Sequence, residues 1–132
     1  MQTLGKESKT MILCDTNVLI YAFNGQQATI NQMEEIGFEN ILLSSITVME
    51  LLQGMGNKTE LAQMKKKIKY YDIVQFDEKI SEKSIELIES FKLSHHLQIP
   101  DAIIGVHQLE LYTYNRKDFE FMPNIKLYQS KK

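Results

Sequence analysis

The sequence predicts one α/β domain, with a mainly parallel sheet of four to five short strands and helices on both faces. Short apolar segments alternate along the chain with longer segments in which apolar residues recur at helical spacing. Such alternation is typical of βα units, whose helices cover both faces of a parallel sheet. The chain of 132 residues is also long enough for one sizeable hydrophobic core.

The first half of the chain begins with an apolar strand and continues with alternating helices and strands. The predicted elements are, in order, a strand at 11–14, helices at 16–23 and 28–38, a strand at 41–43 and a helix that begins near residue 47. This last helix is indicated by apolar residues at positions i, i+3, i+4 and i+7, namely Val48, Leu51, Leu52 and Met55. Gly54 and Gly56 indicate its end.

The second half repeats the alternation with longer helices. The predicted elements are a polar helix at 58–70, a strand at 73–76, helices at 78–93 and 100–110, a strand at 111–113 and a short strand at 125–128. The helix at 78–93 has one apolar face, formed by Ile80, Ser84, Leu87, Ile88 and Phe91. The helix at 100–110 is apolar on most sides, so we expect it to be buried.

Composition is that of an ordinary globular protein, with 43% apolar and 24% charged residues. The net charge of −2 argues mildly against a general nucleic-acid-binding surface. Four lysines are concentrated on one polar helix, and we expect them to form a solvated face: Lys65, Lys66, Lys67 and Lys69. Local charge therefore gives no strong indication of a partner.

The cysteine content and the ends of the chain predict a cytoplasmic protein. Cys14 is the single cysteine, which excludes an internal disulfide and suits a reducing compartment. No apolar stretch approaches the roughly 20 residues of a membrane-spanning helix. Residues 1–10 lack the apolar centre of a signal peptide, and we expect them to be a short frayed extension before a domain at 11–132.

Four acidic residues lie where such a fold carries its functional groups, which is at the carboxyl ends of the strands. Asp15 directly follows the first strand, and Glu50 lies near the start of the helix after the second strand. Asp101 lies at the start of the apolar helix, and Asp118 comes five residues after the fourth strand. Parallel strands bring their carboxyl ends to one edge, so we expect these side chains to be neighbours.

Each of these acids also has a purely structural interpretation. Asp15 is a good N-cap for the helix that follows it. Asp101, beside Pro100, is well placed to compensate a helix dipole, although a carboxylate at an enclosed helix start is costly unless it is paired or bound to a cation. Asp118 lies in a polar segment where surface residues are common. Taken singly, these positions leave both interpretations open.

Glu50 has the most specific structural interpretation. The segment from Thr47 to Glu50 matches a capping box, with Thr47 as the N-cap and the Glu50 side chain reaching back to it. Ile46 and Leu51 stand where a hydrophobic staple would lie. A capping role and a role at the sheet edge are compatible, so this position too is left open.

The acids together favour a cation site. Carboxylates that converge without a cation repel one another, and the pKa values of such groups rise. Mg²⁺ or Mn²⁺ would relieve that repulsion, because hard cations prefer oxygen ligands. Two such ions about 4 Å apart can hold the attacking and leaving oxygens of a phosphodiester.

Four segments in order, ILCDTNVLIY, SSITVMELLQG, IPDAIIG and LYTYNRKDF, give the chain a clear resemblance to a known family. With them, residues 11–128 resemble a PIN domain, and specifically the VapC-type toxins of type II toxin–antitoxin pairs. The resemblance implies a ribonuclease that uses one or two Mg²⁺ or Mn²⁺ ions, cuts RNA by in-line attack of water, and leaves 5′-phosphate and 3′-hydroxyl ends. It also implies a cognate antitoxin that covers the acidic groove, and a homodimer.

The resemblance assigns roles to individual residues. Asp15 and Asp101 would be the primary metal ligands, and Glu50 and Asp118 would complete the site. Three short polar residues would support it, and these are Thr16, Asn17 and Thr113. These assignments are expectations from the family pattern.

The chain departs from the family pattern at two positions. Family members often carry Arg where this chain has Tyr114, and Arg116, the one arginine of the sequence, is either a substitute RNA contact or a solvated turn residue. His107 interrupts the small residues usual in the helix after Asp101, and we expect it to be a packed or interface residue. His95 and His96, at the end of a long helix, suit its dipole.

Two alternative functions remain beside the toxin nuclease. One is a free-standing RNA-processing nuclease without an antitoxin, which the sequence does not distinguish from a toxin. The other is a catalytically silent module that binds RNA or protein, and the four intact acids argue against it. An aspartyl-phosphate phosphotransferase is excluded, because its motif requires a second Asp where this chain has Asn17.

Overall fold

The computed structural model describes residues 10–130, so the predicted extension at 1–10 lies almost entirely outside the described residues. The elements are β1 (Ile12–Cys14), α1 (Thr16–Phe23), α2 (Gln27–Ile36), β2 (Ile41–Ser44), α3 (Ser45–Gln53), α4 (Lys58–Ile68), β3 (Asp72–Val74), α5 (Glu78–His95), α6 (Ile99–Gly105), β4 (Glu110–Tyr112) and β5 (Lys126–Leu127). Single 3₁₀ turns lie at Phe38–Asn40 and Arg116–Asp118. None of the helices within residues 10–130 is long and apolar enough to cross a membrane.

The strands form one parallel sheet in the order β3-β2-β1-β4-β5, which confirms the predicted fold class. β1 lies at the centre and pairs with both β2 and β4. The chain fills one side of β1 with β2 and β3 and then crosses to the other side for β4 and β5. Such a reversal of strand order opens a crevice beyond the carboxyl ends of the strands, here between β1 and β4.

Helices pack on both faces of the sheet because side chains along each strand alternate between them. Ile12 and Cys14 of β1 face one hydrophobic cluster, and Leu13 faces the other. The first cluster is completed mainly by residues of α1 to α4: Val18, Leu19, Met33, Leu51, Met64 and Ile68. The second is completed by α6 and the segments around it: Leu97, Ala102, Ile104, Phe119 and Met122. Cys14 is fully buried in the first cluster, and burial raises the pKa of its thiol.

The predicted capping box at Thr47 is wrong. β2 runs on to Ser44, whose side chain accepts a hydrogen bond from the backbone N–H of Ile46 at 3.3 Å and so caps α3. Thr47 therefore lies within α3 instead of at its start, and its side chain is buried. Glu50 lies in the second turn of α3 and does not reach back to the cap. The strand was predicted to end at residue 43, and its extension to Ser44, which pairs with Val74 of β3, moves the helix start to Ser45.

The apolar helix α6 is shorter than predicted, since it ends at Gly105 instead of residue 110. Gly105 lies directly against Met122, so closely that a β-carbon at that position would overlap the methionine sulfur. Gln108 then adopts a left-handed conformation with φ of 61° and turns the chain into β4. α6 therefore ends where Gly105 packs closely against Met122, in the segment after β4.

Candidate active site

An open cleft of about 460 Å³ lies at the carboxyl edge of the sheet, where the strand order reverses. All four acids singled out in the sequence line it: Asp15, Glu50, Asp101 and Asp118. The other lining residues are mostly polar: Thr16, Asn17, Ile20, Gln53, Gly54 and Asn115. The structure therefore brings together side chains that are up to about a hundred positions apart in the sequence.

Asp15 is held rigidly by hydrogen bonds to both carboxylate oxygens. Its Oδ1 accepts from the backbone N–H of Thr16 at 2.8 Å, so it caps α1 as the structural interpretation expected. Its Oδ2 accepts from the hydroxyl of Thr113 at 2.8 Å, and the Thr113 oxygen in turn accepts from the backbone N–H of Asn115 at 2.9 Å. The ends of β1 and β4 are thus linked through this one carboxylate.

Thr16 connects the first acid to the second. Its hydroxyl donates to Glu50 Oε1 over 2.7 Å, and its Oγ1 also lies 3.0 Å from Oγ1 of the buried Thr47. The backbone of Thr16 therefore binds Asp15 while its side chain binds Glu50. Loss of the hydroxyl would remove the bond to Glu50 and leave the backbone bond to Asp15 in place.

The electrostatics of the cleft favour the protonated form of its most enclosed acids. Burial raises the pKa of Asp101 to about 7, and the charges of Asp15, Asp118 and Glu50 add to the effect. Burial also raises the pKa of Asp15, although the hydrogen bonds from Thr113 and Thr16 counteract part of this increase. A cation would reverse both effects, since it compensates the charge that burial and repulsion penalise.

The oxygen donors of the cleft are of the type that binds a hard divalent cation, but they do not converge on one point. Carboxylate oxygens, with the amide oxygens available from Gln53 and Asn115, are the ligands that Mg²⁺ and Mn²⁺ prefer. Within residues 10–130, however, no three His, Cys, Asp or Glu side chains lie close enough together to hold a metal ion. Mg²⁺ is usually held by only one or two carboxylates together with several waters, so the donors fit this ion without forming a closed cage.

Other residues singled out in the sequence lie in different surroundings. Asn17 is exposed and lines the cleft, whereas the bonds that hold the first acid come from Thr16 and Thr113. Arg116 lines a neighbouring cavity, and its Nη1 donates to the backbone oxygen of Tyr128 at 3.3 Å. Arg116 therefore does not line the acidic cleft.

The three histidines lie away from the acidic cleft, and two of them contact other side chains. His107 Nε2 lies 3.2 Å from the hydroxyl of Ser44, the cap of α3, and burial lowers the pKa of this histidine. His95 stacks on Phe121 with 4.1 Å between the ring centroids. His96 ends α5 in a left-handed conformation with φ of 55°. None of the three lines the acidic cleft described above.

Two polar residues of the cleft were missed in the sequence. Gln53 follows Glu50 by three positions on α3, so the helical period of 3.6 residues indicates that the two share a face. Asn115 looked like a simple turn former, and only its bond to Thr113 places it at the site. The first could have been found from periodicity; the second could not.

Comparison with solved structures gives close matches over nearly the whole chain. A chain of a toxin–antitoxin complex from Klebsiella pneumoniae is 30% identical, with a TM-score of 0.71, and the match covers 89% of this chain and 96% of that one. VapBC2 from Rickettsia felis, bound to a DNA fragment from its promoter, is 27% identical, with a TM-score of 0.73 and coverage of 90% and 98%. FitAcB from Neisseria gonorrhoeae is 23% identical, with a TM-score of 0.70, and shares the fold over 90% of this chain and 97% of that one.

The family comparison agrees with the structural one. No curated protein sequence gives a significant match. The family profile described as PIN domain matches residues 12–111, which contain three of the four acids of the cleft. These findings confirm the resemblance to VapC-type PIN domains that the sequence indicated. The chain belongs to the PIN domain family.

Proposed function

We propose that this protein is a metal-dependent endoribonuclease and the toxin of a toxin–antitoxin module. The observation that carries the proposal is the convergence of four carboxylates on one cleft in a chain of the PIN domain family. The raised pKa of Asp101 supports it, because an acid in that state is suited to a cation partner. The structural neighbours from toxin–antitoxin complexes support the toxin role.

The proposed cofactor is Mg²⁺ or Mn²⁺, as one or two ions. Asp15 and Asp101 would hold it, and Glu50 and Asp118 would complete the set of oxygen donors. A bound ion would neutralise the carboxylates and polarise the phosphate that is cut. RNA cleavage by an acidic protein is consistent with this assignment, since a cation supplies the local positive charge.

The side chains of this chain would position the reactants. Thr113 and the backbone of Thr16 fix both oxygens of Asp15, and the hydroxyl of Thr16 fixes Glu50, so both acids are oriented before substrate arrives. In the reaction, the oxygen of water would bond to phosphorus and release one proton to solvent, while the bond from phosphorus to the 3′-oxygen breaks and the 3′-oxygen takes up one proton from solvent. The products carry 5′-phosphate and 3′-hydroxyl ends.

An antitoxin is the proposed regulatory partner, and a groove of mixed character beside the cleft supports it. This groove, of about 420 Å³, lies between α1, α3 and α4, and its lining includes apolar residues such as Phe23 and Met64 as well as the charged Glu60 and Lys67. It is continuous with the acidic cleft, because Ile20, Glu50 and Gly54 line both. An amphipathic segment of the antitoxin seated in the groove would extend over the acids.

We further propose a homodimer and a cytoplasmic location. Two large apolar side chains on consecutive helices support the dimer, since Leu93 of α5 is 93% exposed and Ile99 of α6 is 62% exposed. Exposed apolar residues of this size are common at interfaces between subunits. The lone buried Cys14 suits a reducing compartment.

The proposal is tested by inducing the protein in cells and mapping the ends of cellular RNA. A toxin nuclease stops growth, generates new 5′-phosphate ends, and is neutralised when the neighbouring reading frame is co-expressed. RNA cleavage without growth arrest would favour the free-standing processing nuclease. Absence of cleavage by the induced protein, and by purified protein with Mn²⁺, would overturn the proposal in favour of a silent binding module.

A further inference from the structure

His107 lies between the two helices that carry Asp101 and Glu50. It follows α6, which has Asp101 in its first turn, and its backbone N–H donates to the carbonyl oxygen of Ile104 at 3.5 Å. Its side chain contacts the other helix, since Nε2 lies 3.2 Å from the hydroxyl oxygen of Ser44, the N-cap of α3. α3 and α6 also pack against each other. The histidine therefore joins the end of α6 to the start of α3.

The Ser44 hydroxyl has to accept one hydrogen bond and donate another. Its oxygen accepts from the backbone N–H of Ile46 at 3.3 Å, so its own proton needs a different partner. Among residues 10–130, the other hydrogen-bond partner of this hydroxyl is His107 Nε2. Ser44 is fully buried, and buried polar groups are rarely left unpaired. The Ser44 proton is therefore donated to Nε2, which accepts when the neutral imidazole carries its proton on Nδ1.

The first turn of α3 is connected to Glu50 by two routes. Glu50 lies in the next turn of the same helix, so the backbone of α3 sets its position. Thr47 of the first turn is fully buried, and its Oγ1 lies 3.0 Å from Oγ1 of Thr16, whose hydroxyl donates to Glu50 Oε1 at 2.7 Å. A displacement of the first turn would therefore shift Glu50 relative to the rest of the cleft.

Protonation of His107 would oppose the cap. Nε2 of an imidazolium is a donor, so the Ser44 oxygen would have to accept from both partners and its own proton would lose its acceptor. The new positive charge would also lie beside the N-terminus of α3, where the helix dipole disfavours cations. Burial lowers the pKa of His107, and among the described residues Asp77, the N-cap of α5, is the charged group that opposes this shift. The surroundings of the ring thus favour its neutral form.

We propose that His107 is a positioning residue of the nuclease, which in its neutral form accepts the Ser44 proton and so holds the start of α3, and with it Glu50. The inference rests on the proposed nuclease function and adds to it a residue outside the cleft. A side chain that merely filled the space between α3 and α6 could be replaced by an apolar one of similar size with little effect on kcat. A positioning role instead requires an acceptor at Nε2.

The first test is the pH profile of RNA cleavage in Mn²⁺. His107→Leu removes the acceptor and should lower kcat about 3- to 10-fold near pH 8 with little change in KM, a smaller loss than for a group bound directly to a metal ligand. His107→Gln offers an oxygen that can accept from Ser44 and should retain most of the activity. Its rate relative to wild type should rise from about pH 8 to about pH 5.5, because the variant gains no charge at the cap.

His95→Gln is the matched control, since His95 is exposed at the end of α5 and stacks on Phe121. Its pH profile should follow that of the wild type. Urea unfolding of each variant separates a loss of stability from a loss of kcat.

A double-mutant cycle with Ser44→Ala tests whether His107 acts through this serine. In the Ser44→Ala background, His107→Leu should cause no further loss of kcat, because the bond between the two side chains is already absent. An equal loss in both backgrounds would overturn the proposed route through Ser44.

A third measurement needs neither RNA nor metal. Ser44 links the backbone N–H of Ile46 to the His107 ring, so the NMR signal of that N–H in the wild type should titrate with the pKa of His107. Ser44→Ala should abolish this response. An Ile46 signal that does not follow the ring would overturn the link.

The outcomes separate this inference from the function on which it rests. If the wild type cuts RNA and His107→Leu retains its kcat and pH profile, the positioning role is wrong and the nuclease assignment stands. Equal loss of kcat in His107→Gln and His107→Leu near pH 8 also overturns the role of the acceptor. If the wild type cuts no RNA, the proposed function fails and the role in catalysis fails with it, whatever the NMR titration shows about the cap.

Discussion

The hydroxyl of Thr16 donates to Glu50 Oε1 over 2.7 Å, and the backbone N–H of the same residue donates to Asp15 Oδ1 over 2.8 Å. One residue at the start of α1 therefore orients two acids that come from different strand–helix units. The sequence presents Thr16 only as a short polar residue beside an acid. In the structure Thr16 is hydrogen-bonded to both Asp15 and Glu50 and so links the two acids.

Replacing Thr16 with Val should lower RNA cleavage about 10- to 100-fold, the range for partners that orient metal ligands. Valine keeps the backbone bond to Asp15 and nearly the same shape, but it removes the donor to Glu50. Thr16→Ser retains the hydroxyl and should recover most of the activity. Single-turnover cleavage rates and urea unfolding of the three proteins check this. Equal rates for Val and wild type would show that the Glu50 bond is irrelevant to the reaction.

Replacing Thr113 with Val should weaken metal binding in a pH-dependent way. The Thr113 hydroxyl lowers the pKa of Asp15, so its removal raises that pKa further. A carboxylate must be deprotonated to bind a metal, and the loss of affinity should therefore be larger at low pH than at high pH. Titration calorimetry with Mn²⁺ near pH 6 and pH 8 measures the difference. Thr113→Ser is the matched control, and an equal loss at both pH values would contradict the argument.

The stability of the metal-free protein should fall as pH rises from about 4 to about 7. The pKa of Asp101 is raised from its ordinary value of 3.8 to about 7 in the folded state, so the folded state prefers the protonated acid and loses that advantage as the acid ionises. One pKa unit corresponds to about 1.4 kcal/mol, and partial exposure reduces the effect to one to a few kcal/mol. Thermal unfolding in EDTA should show the decrease. Asp101→Asn should flatten it, and Mg²⁺ should restore stability at high pH.

A steeper decrease in Asp101→Asn than in the wild type would contradict this assignment. Asp72→Asn is the matched control, since Asp72 is exposed on β3 and lies outside the cleft. Its pH dependence should follow that of the wild type. The informative quantity is the difference between each variant and the wild type, because the raised pKa of Asp15 and the lowered pKa of His107 add their own pH dependence to the stability.

Gly105→Ala should destabilise the protein by about 1–3 kcal/mol, as is usual for overpacking. The added methyl group would overlap the sulfur of Met122, so either the methionine or α6, which carries Asp101, has to shift. The cost should be smaller when the same change is made in a Met122→Ala background, because the clash is then absent. Denaturant unfolding of the four proteins in this cycle checks the coupling. If the effects of the two substitutions on the free energy of unfolding were strictly additive, the contact between Gly105 and Met122 would make no contribution to stability.

Much of the site could be predicted because it depends on where the strands end, which the apolar pattern indicates. Asp15 directly follows an unmistakable strand, and Asp101 lies in the first turn of a clearly apolar helix. Glu50 was placed in the correct cleft but in the wrong helical turn, because β2 runs on to Ser44 and this serine, instead of Thr47, caps α3. The predicted roles of all four acids in catalysis stay predictions.

The surroundings of Tyr114 could not have been predicted in the same way. They depend on its contacts with Thr29 and Tyr21, which lie more than 80 positions earlier in the sequence and share no periodic pattern with it. The early end of α6 has a similar cause, since it depends on a tertiary contact between Gly105 and Met122. Local patterns indicate elements and edges, whereas these features depend on how the elements pack.

The most direct measurement is the cleavage rate of a labelled single-stranded RNA by the wild type, Asp101→Asn and Asp72→Asn in Mn²⁺. The account predicts that Asp101→Asn cuts about 100-fold more slowly or not at all, since it loses a proposed metal ligand, and that Asp72→Asn matches the wild type. EDTA should abolish cleavage by all three proteins. Equal cleavage by Asp101→Asn and wild type, or undiminished cleavage in EDTA, would contradict the assignment of the acidic cleft as the metal-dependent site.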